Sequence, residues 1–385
     1  MTRRSPSRLL VVLLLSTATM HLPVFGAYFE AGRRLDLRHP ALVAGLLAFI
    51  AGALFLGRAR ATMSDHPRAA WHVRVFDVPY FIHWCAAAWS FLPSVIAAVI
   101  WPLVSLGRGR GFEMPWTFFL GMYIFGFVAA AWGILVRRRW VIVKYVDIPV
   151  ARLPESFHGF TIAHLSDLHI GSLTPRSWGE RWVRMANALK PDIAVITGDL
   201  VTSGTHFHRD IADVVAGLRA KSGVFVSMGN HDYFGEGEPL ITLIRESGVV
   251  VLRNQGHVLE RGGERVYLAG IDDTWTRRAD LDAALEARPI GLSTVLLAHD
   301  PAVFPLARER GVELTLSGHT HGGQLAVPFF ARSLSLSHLV HRYHLGLYQE
   351  GTAALYVHPG LGTTGPPMRL GVAPAVVLIR LVTAA

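Results

Sequence analysis

Four long apolar runs occupy the first third of the chain, and short apolar runs alternating with amphipathic stretches occupy the rest. Leu9–Tyr28 runs for 20 residues without a charge, and Ala41–Leu56 for 16. Tyr80–Leu106 is longer and contains Pro93 and Pro102, which predict a kink or tilt. Trp116–Val136 stops abruptly at Arg137-Arg138-Arg139. A helix needs about 20 residues to cross a hydrocarbon core of roughly 30 Å. Three runs reach that length, and the second reaches it only if extended back to Leu37. None carries the polar face of a soluble surface helix. The pattern predicts an all-α transmembrane region over residues 1–140 with about four helices.

The periodicity changes at Val141. A linker or first strand is expected over 141–152 and a separate α/β domain over 153–385. Strand-like runs fall at Phe160–Leu165, Ile193–Thr197, Val224–Met228, Val266–Ile271, Thr294–Ala298, Glu313–Ser317 and Ala354–His358. Between them lie stretches such as Ser177–Leu189, where Trp182, Met185 and Leu189 recur at helical spacing. Strands alternating with helices define an α/β class.

The residues that follow these strands carry the chemistry. Asp167-Leu168-His169 follows the first, Gly198-Asp199 the second, and Gly229-Asn230-His231-Asp232 the third. His299 follows Thr294–Ala298, and Gly318-His319-Thr320-His321-Gly322-Gly323 follows Glu313–Ser317. In α/β sheets, ligands gather beyond the carboxyl ends of strands, so these groups are expected to converge. A Gly-Asp after a strand is by itself usually a turn. Five such strand ends in this order are far more specific.

Composition sharpens this picture. Hydrophobic residues make up 51% and charged residues 17%, below the roughly 25% of soluble domains. The formal net charge is +9, but many arginines flank the apolar runs, so they are read as topology signals and no nucleic-acid partner is expected. With the N-terminus cytoplasmic, the inner segments carry Arg3, Arg4, Arg8, Arg58, Arg60, Arg68, Arg74, Arg137, Arg138, Arg139 and Lys144. The outer loops carry only Arg33, Arg34, Arg38, Arg108 and Arg110, which places the C-terminal domain in the cytoplasm. The competing reading takes Arg3-Arg4 as a twin-arginine export signal and places the domain on the exported side. Cys85 is the single cysteine, so any metal must be held by His, Asp, Glu or Asn.

The blocks Asp-x-His, Gly-Asp, Gly-Asn-His-Asp, His and Gly-His-x-His resemble the calcineurin-like metallophosphoesterase family over about Leu153–Leu381. The apolar runs and the tail Gly360–Thr364 through Pro367-Met368-Arg369 narrow the resemblance to the membrane-linked YkuE/YaeI-like branch. The resemblance implies a two-sheet β-sandwich flanked by helices and two divalent ions, Mn²⁺, Fe²⁺ or Zn²⁺. It assigns one ion to Asp167, His169, Asp199 and His321, and the other to Asp199, Asn230, His299 and His319, with Asp199 shared. It makes His231 the catalytic helper that stabilises the transition state or protonates the leaving oxygen, and Asp232 the group that orients its imidazole. Thr202 departs from the acidic residue that many relatives carry three positions after the bridging Asp, which puts any role of that acid in doubt.

Other signals are set aside. Gly360-Leu361-Gly362-Thr363-Thr364-Gly365 matches a dinucleotide fingerprint by letter, but no helix opens after it. It is read instead as a loop beside the active site. His164 is expected in the core, His206 and His208 in a solvated loop, and Arg277, Arg278, His341, Arg342 and His344 on the surface. The expected function is hydrolysis of a lipid or lipid-linked phosphate or diphosphate at the inner face of a bacterial-type cytoplasmic membrane. One specific alternative is cleavage of UDP-2,3-diacylglucosamine. A further one is a non-enzymatic membrane sensor or scaffold built on a decayed hydrolase.

Overall fold

A computed structural model describes residues 6–62, 67–326, 330–333, 335 and 337–384. Two compact units divide the chain, Met1–Val136 and Arg137–Ala385. The Arg3-Arg4 pair lies outside the described residues.

The first unit is helical. Its helices are α1 (Pro6–Arg34), α2 (Pro40–Thr62), α3 (Ala70–Gly107) and α4, which begins at Trp116 and runs on to Arg139. Among the described residues, α3 and α4 are long and apolar enough to cross a membrane, and Pro40–Phe55 is a shorter apolar helix. The third run is thus ten residues longer at its start than the hydrophobic pattern suggests. Helix α3 continues through Pro93 and Pro102, and its irregular π-helical turn falls at Val73–Asp77, just before Pro79. Helices approach closely where side chains are small: a Cβ on Gly126 would stand 2.9 Å from the Ala86 carbonyl oxygen. Buried Glu30 accepts from Arg34 (3.0 Å) and Thr117 (3.1 Å), so its charge is compensated where it enters apolar surroundings.

The second unit is a sandwich of two six-stranded sheets. The strands in chain order are β1 (Ile142–Val150), β2 (Thr161–Leu165), β3 (Ile193–Thr197), β4 (Val224–Ser227), β5 (Val250–Val251), β6 (Gln255–Arg261), β7 (Glu264–Gly270), β8 (Thr294–Leu297), β9 (Leu314–Ser317), β10 (Gly346–Glu350), β11 (Ala353–Val357) and β12 (Ala375–Thr383). One sheet runs β1-β12-β2-β3-β4-β5 and the other β10-β11-β9-β8-β7-β6. The centre of each is parallel: β2, β3, β4 and β5 in one, β7, β8, β9 and β11 in the other. Parallel strands point their carboxyl ends the same way, which is what brings the loops after them together.

The core follows from strands that are apolar on both faces. Ile162, Val195 and Phe225 of the first sheet meet Leu268, Val295, Leu297 and Leu316 of the second in one buried cluster. On its outer face the first sheet packs against α5 (Arg176–Ala188), α6 (His208–Ala216) and α7 (Gly237–Glu246) through Trp182, Ile211, Val215 and Leu240. The second sheet carries α8 (Leu281–Glu286) and α9 (Phe304–Glu309), with Leu281, Ala284 and Ala307 in the cluster behind it. His208, expected in a solvated loop, is buried at the start of α6. His164 is fully buried, and its Nε2 lies 2.8 Å from the Thr197 hydroxyl.

Candidate metal centre

Five strands of the two parallel cores, β2, β3, β4, β8 and β9, are followed by turns that carry the polar side chains of the site. Asp167, His169, Asp199, His319 and His321 all have left-handed backbone, with φ between +46° and +68°. For non-glycine residues this conformation costs on the order of 1 kcal/mol each and persists only where the surroundings impose it. Five such residues in one place mark a site assembled at the expense of local strain. Glycine supplies the remaining bends: Gly198 has φ +80°, and a Cβ there would stand 2.7 Å from His299 Nδ1. A Cβ on Gly318 would collide with Ser166 and the Asp167 carboxylate.

The seven expected ligands meet in two overlapping groups. Ligand atoms of Asp167, His169, Asp199 and His321 lie within 4.8 Å of one another, and so do those of Asp199, His299 and His319. In the first group, His169 Nε2 is 3.0 Å from His321 Nε2 and 3.5 Å from Asp199 Oδ2, and His321 Nε2 is 3.4 Å from Asp167 Oδ1. In the second, His299 Nε2 is 3.2 Å from Asp199 Oδ2, and His319 Nδ1 is 3.1 Å from Asn230 Oδ1 and 3.3 Å from His299 Nε2. Asp199 belongs to both.

The donor set fits divalent cations. His299 Nδ1 faces the Thr197 carbonyl oxygen at 2.6 Å. A carbonyl only accepts, so Nδ1 carries the proton, and in the neutral ring the Nε2 lone pair points at the Asp199 carboxylate. Two acceptors aimed at each other require a cation or a proton between them. Burial lowers the pKa of His299, but Asp199 and Asp167 outweigh it and push it up to about 10, the direction that a place for positive charge between ring and carboxylate gives. Burial drives His169 down to about 3 and His321 well below its ordinary range, so both rings are neutral and present lone pairs. Burial opposes the charge of Asp199, but His299 and His169 hold its carboxyl well below the usual range. Asp167 Oδ2 is buried without a hydrogen-bond partner among the described residues. Buried imidazoles, carboxylates and an amide oxygen, with no thiolate, suit Mn²⁺, Fe²⁺ or Zn²⁺.

His231 sits at the edge of the first group, its ring 4.7 Å from that of His169. Its Nδ1 donates to the Thr202 carbonyl oxygen at 2.6 Å, and Nε2 lies 3.5 Å from Thr364 Oγ1. Asp232 does not take the orienting role expected of it, because its carboxylate is committed to backbone N–H groups. Its buried carboxylate accepts from the backbone N–H groups of Gly229 (2.9 Å), Asp199 (3.1 Å), Leu200 (2.7 Å) and Val201 (3.2 Å), and so staples the turn that presents Asp199. Sequence adjacency to His231 gave no sign of this, because the side chain turns back within the 3₁₀ turn Asn230–Tyr233. Thr202, notable in sequence only as a departure, holds the His231 ring through its main chain and donates its hydroxyl to the His169 carbonyl oxygen at 2.9 Å.

Two further loops reach the site. The Gly360–Thr364 segment lies over the end of β2, with Leu361 N donating to Ser166 O and Gly362 N to Asp167 O. Behind it, fully buried Arg369 donates to Pro359 O (2.8 Å) and Gly362 O (2.6 Å), and its Nη2 lies 3.3 Å from His321 Nδ1. In the sequence Arg369 stood out only as part of the tail that narrows the resemblance, with no role at the site attached to it. The loop after β7 places the Trp275 ring 5.2 Å from that of His319. Of the residues expected on the surface, His341 has its ring 5.9 Å from His319, Arg278 lies over Tyr233, Arg342 pairs with Glu350, and His344 is buried.

A two-sheet α/β sandwich with Asp, Asn and His side chains converging from parallel strand ends defines the metallophosphoesterase class. Comparison with known proteins agrees. The calcineurin-like phosphoesterase family model matches residues 160–323. A zebrafish transmembrane protein with metallophosphoesterase domain is 35% identical over 257 residues, covering 63% of this chain and 58% of that protein. The metallophosphoesterase YkuE of Bacillus subtilis is 30% identical over 233 residues, covering 60% and 81%. A metallophosphoesterase of Aquifex aeolicus is 32% identical over 246 residues, covering 62% and 91%. The chain belongs to the calcineurin-like metallophosphoesterase family. It spans little more than half the length of the zebrafish and cattle relatives it matches.

Proposed function

We propose that the protein is a metal-dependent phosphoester hydrolase held in a membrane, acting on a membrane lipid or a lipid-linked phosphate or diphosphate. The observation that carries the proposal is the pair of overlapping ligand groups joined at Asp199. One ion would be held by Asp167, His169, Asp199 and His321, and the other by Asp199, Asn230, His299 and His319. Bound there, such ions supply the Lewis acidity that makes water a nucleophile near neutral pH and offsets charge on the phosphoryl oxygens.

The protein's own groups do the rest. His299 keeps its Nδ1 proton on the Thr197 carbonyl oxygen and so turns a lone pair inward. His231 spends Nδ1–H on Thr202, which leaves Nε2 to carry a proton to the leaving oxygen as the P–O ester bond breaks. Asp232 and the strained turns hold Asp199 in place ahead of the reaction.

The membrane part of the proposal comprises residues 1–140 as four spans, linker or first strand 141–152, and catalytic domain 153–385 on the cytoplasmic side. It draws support from the apolar helices, the arginine distribution and the zebrafish relative's name as a transmembrane protein. An anchored enzyme has local access to substrates that are themselves in the bilayer, which favours a lipid. UDP-2,3-diacylglucosamine is the specific substrate to try first, because its diphosphate joins a soluble nucleotide to an acylated sugar. Detergent-purified protein with Mn²⁺ is expected to hydrolyse it or a nitrophenyl phosphodiester, with His231→Ala as the blank. Absence of turnover on either, in protein that retains metal, would leave the non-enzymatic sensor reading standing. A cysteine replacing Arg265 should resist membrane-impermeant thiol reagents in intact cells, and labelling there would place the domain on the exported side.

A further inference from the structure

Two aromatic rings stand exposed at opposite ends of the ligand cluster. Trp275 is 58% exposed and Phe234 is 46% exposed. Ring contacts run from Phe234 to His231 (4.5 Å), to His169 (4.7 Å) and to His321 (4.9 Å). On the other side they run from Trp275 to His319 (5.2 Å) and to His299 (5.1 Å). The two series meet at Asp199, which lies beside both His169 and His299. The ligand cluster is therefore one continuous series of contacts with an exposed aromatic ring at each end.

These rings are held out, not left loose. The Trp275 loop spends its hydrogen bonds on its own shape. Buried Asp273 accepts from Thr276 N at 2.6 Å, Arg278 N returns to Asp273 O at 3.0 Å, and Arg277 N returns to Thr274 O at 3.1 Å. Phe234 is fixed through its main chain, with N donating to His231 O at 3.1 Å and O accepting from Gly204 N at 2.6 Å. A single exposed aromatic ring is ordinary on a protein surface. Two braced rings, each touching a histidine of the same polar cluster, match the make-up of a ligand cleft, where apolar walls surround a few placed polar groups.

We infer that Trp275 and Phe234 set substrate choice by holding an apolar body attached directly to the phosphate, so that alkyl-bearing phosphodiesters are favoured over small ones. The inference rests on the hydrolase reading and narrows it to amphipathic esters. The ring faces would desolvate alkyl carbons on either side of the phosphate, while Asp and His side chains between them face the phosphoryl group.

The test uses the full chain in detergent with Mn²⁺ and two diesters sharing one leaving group, p-nitrophenyl octyl phosphate and p-nitrophenyl methyl phosphate. The octyl ester is expected to be preferred in kcat/KM by ~10-fold or more. Trp275→Ala should collapse that preference by raising KM for the octyl ester, Phe234→Ala should erode it, and Trp275→Phe should retain it. Equal use of the two esters by the unmodified protein, or an equal loss on both in Trp275→Ala, would overturn the inference. Calorimetric binding of octyl(methyl)phosphinate, which has two P–C bonds and no ester bond to hydrolyse, separates the two readings. Trp275-dependent binding without turnover of either ester keeps the ring contact with an alkyl-bearing phosphorus ligand and removes the hydrolase reading. Binding that ignores Trp275 removes the inference even if turnover is found.

Discussion

The Nδ1 atom of His231 lies 2.6 Å from the main-chain carbonyl oxygen of Thr202. Because that oxygen can only accept, the contact fixes the tautomer of the ring and leaves Nε2 as the nitrogen that serves the reaction. His231 is not among the seven clustered ligands, so its loss should separate chemistry from metal binding. His231→Ala is expected to lower kcat by about 10²–10⁴-fold. Metal content per chain, measured by plasma emission, and thermal midpoint should stay at the unmodified values. A variant that also loses metal would make His231 a ligand.

Asp199 is the one side chain shared by the two ligand groups. Asp199→Ala should abolish turnover and reduce bound metal at both positions, whereas Asn230→Ala should reduce it at one. Near-normal activity in Asp199→Ala would refute a shared site. Stripping metal with a chelator should lower the thermal midpoint of the catalytic unit, since it leaves lone pairs of His169, His321 and Asp167 facing one another in a buried space. Restoring Mn²⁺ should recover the midpoint in proportion to occupancy.

Asp232 offers a different outcome. Its carboxylate satisfies four backbone donors around Asp199 and does not meet the His231 ring. Asp232→Asn replaces one accepting oxygen with an amide that donates toward those same N–H groups. The expected loss is about 1–3 kcal/mol of stability, as for buried donors left unpaired, together with weaker metal retention. If the carboxylate instead oriented His231, the variant would keep its midpoint and shift only the pH dependence of kcat.

How much of this was legible depends on the kind of interaction each residue makes. The ligands were legible because a metal centre demands particular side chains after particular strands, and Gly229-Asn230-His231-Asp232 and Gly318-His319-Thr320-His321 supply them. The central parallel strands were legible because burial on both faces leaves uninterrupted apolar runs such as Ile193–Thr197. Strands β6 and β10 lie at or near sheet edges, with alternating or partial exposure, and their runs carry Gln255, His257, Gln349 and Glu350. Strand β12 takes a central place beside β2, but its apolar run Ala375–Thr383 follows a loop and announces no partner. Thr202 acts on His231 through a carbonyl that every residue possesses, so its identity carried no signal. Trp275 reads in sequence as any loop aromatic until β7 places it against His319.

Acid should unfold the catalytic unit partly through Asp192. Its carboxylate accepts from Thr161 N and Oγ1 at 2.8 Å each, from Lys221 Nζ at 2.9 Å and from Arg261 at 3.4 Å. It thus joins the starts of β2 and β3 to the end of β6 in the other sheet. Burial pushes this carboxyl upward, but Lys221 and the Thr161 donors outweigh it and hold it below the usual carboxylate range. A depressed carboxyl stabilises the fold at every pH above its unfolded value of about 3.9. That stabilisation is lost as pH falls through the lower, folded value. Asp192→Asn should therefore lower the thermal midpoint at pH 7 by about 2–4 °C, the scale of one charged hydrogen bond in a domain of this size. The gap between variant and unmodified protein should close as pH falls below about 4. Midpoints measured from pH 7 to pH 3 decide the matter: a gap that stays constant over that range would mean the carboxylate charge contributes nothing and only the shape of the side chain counts.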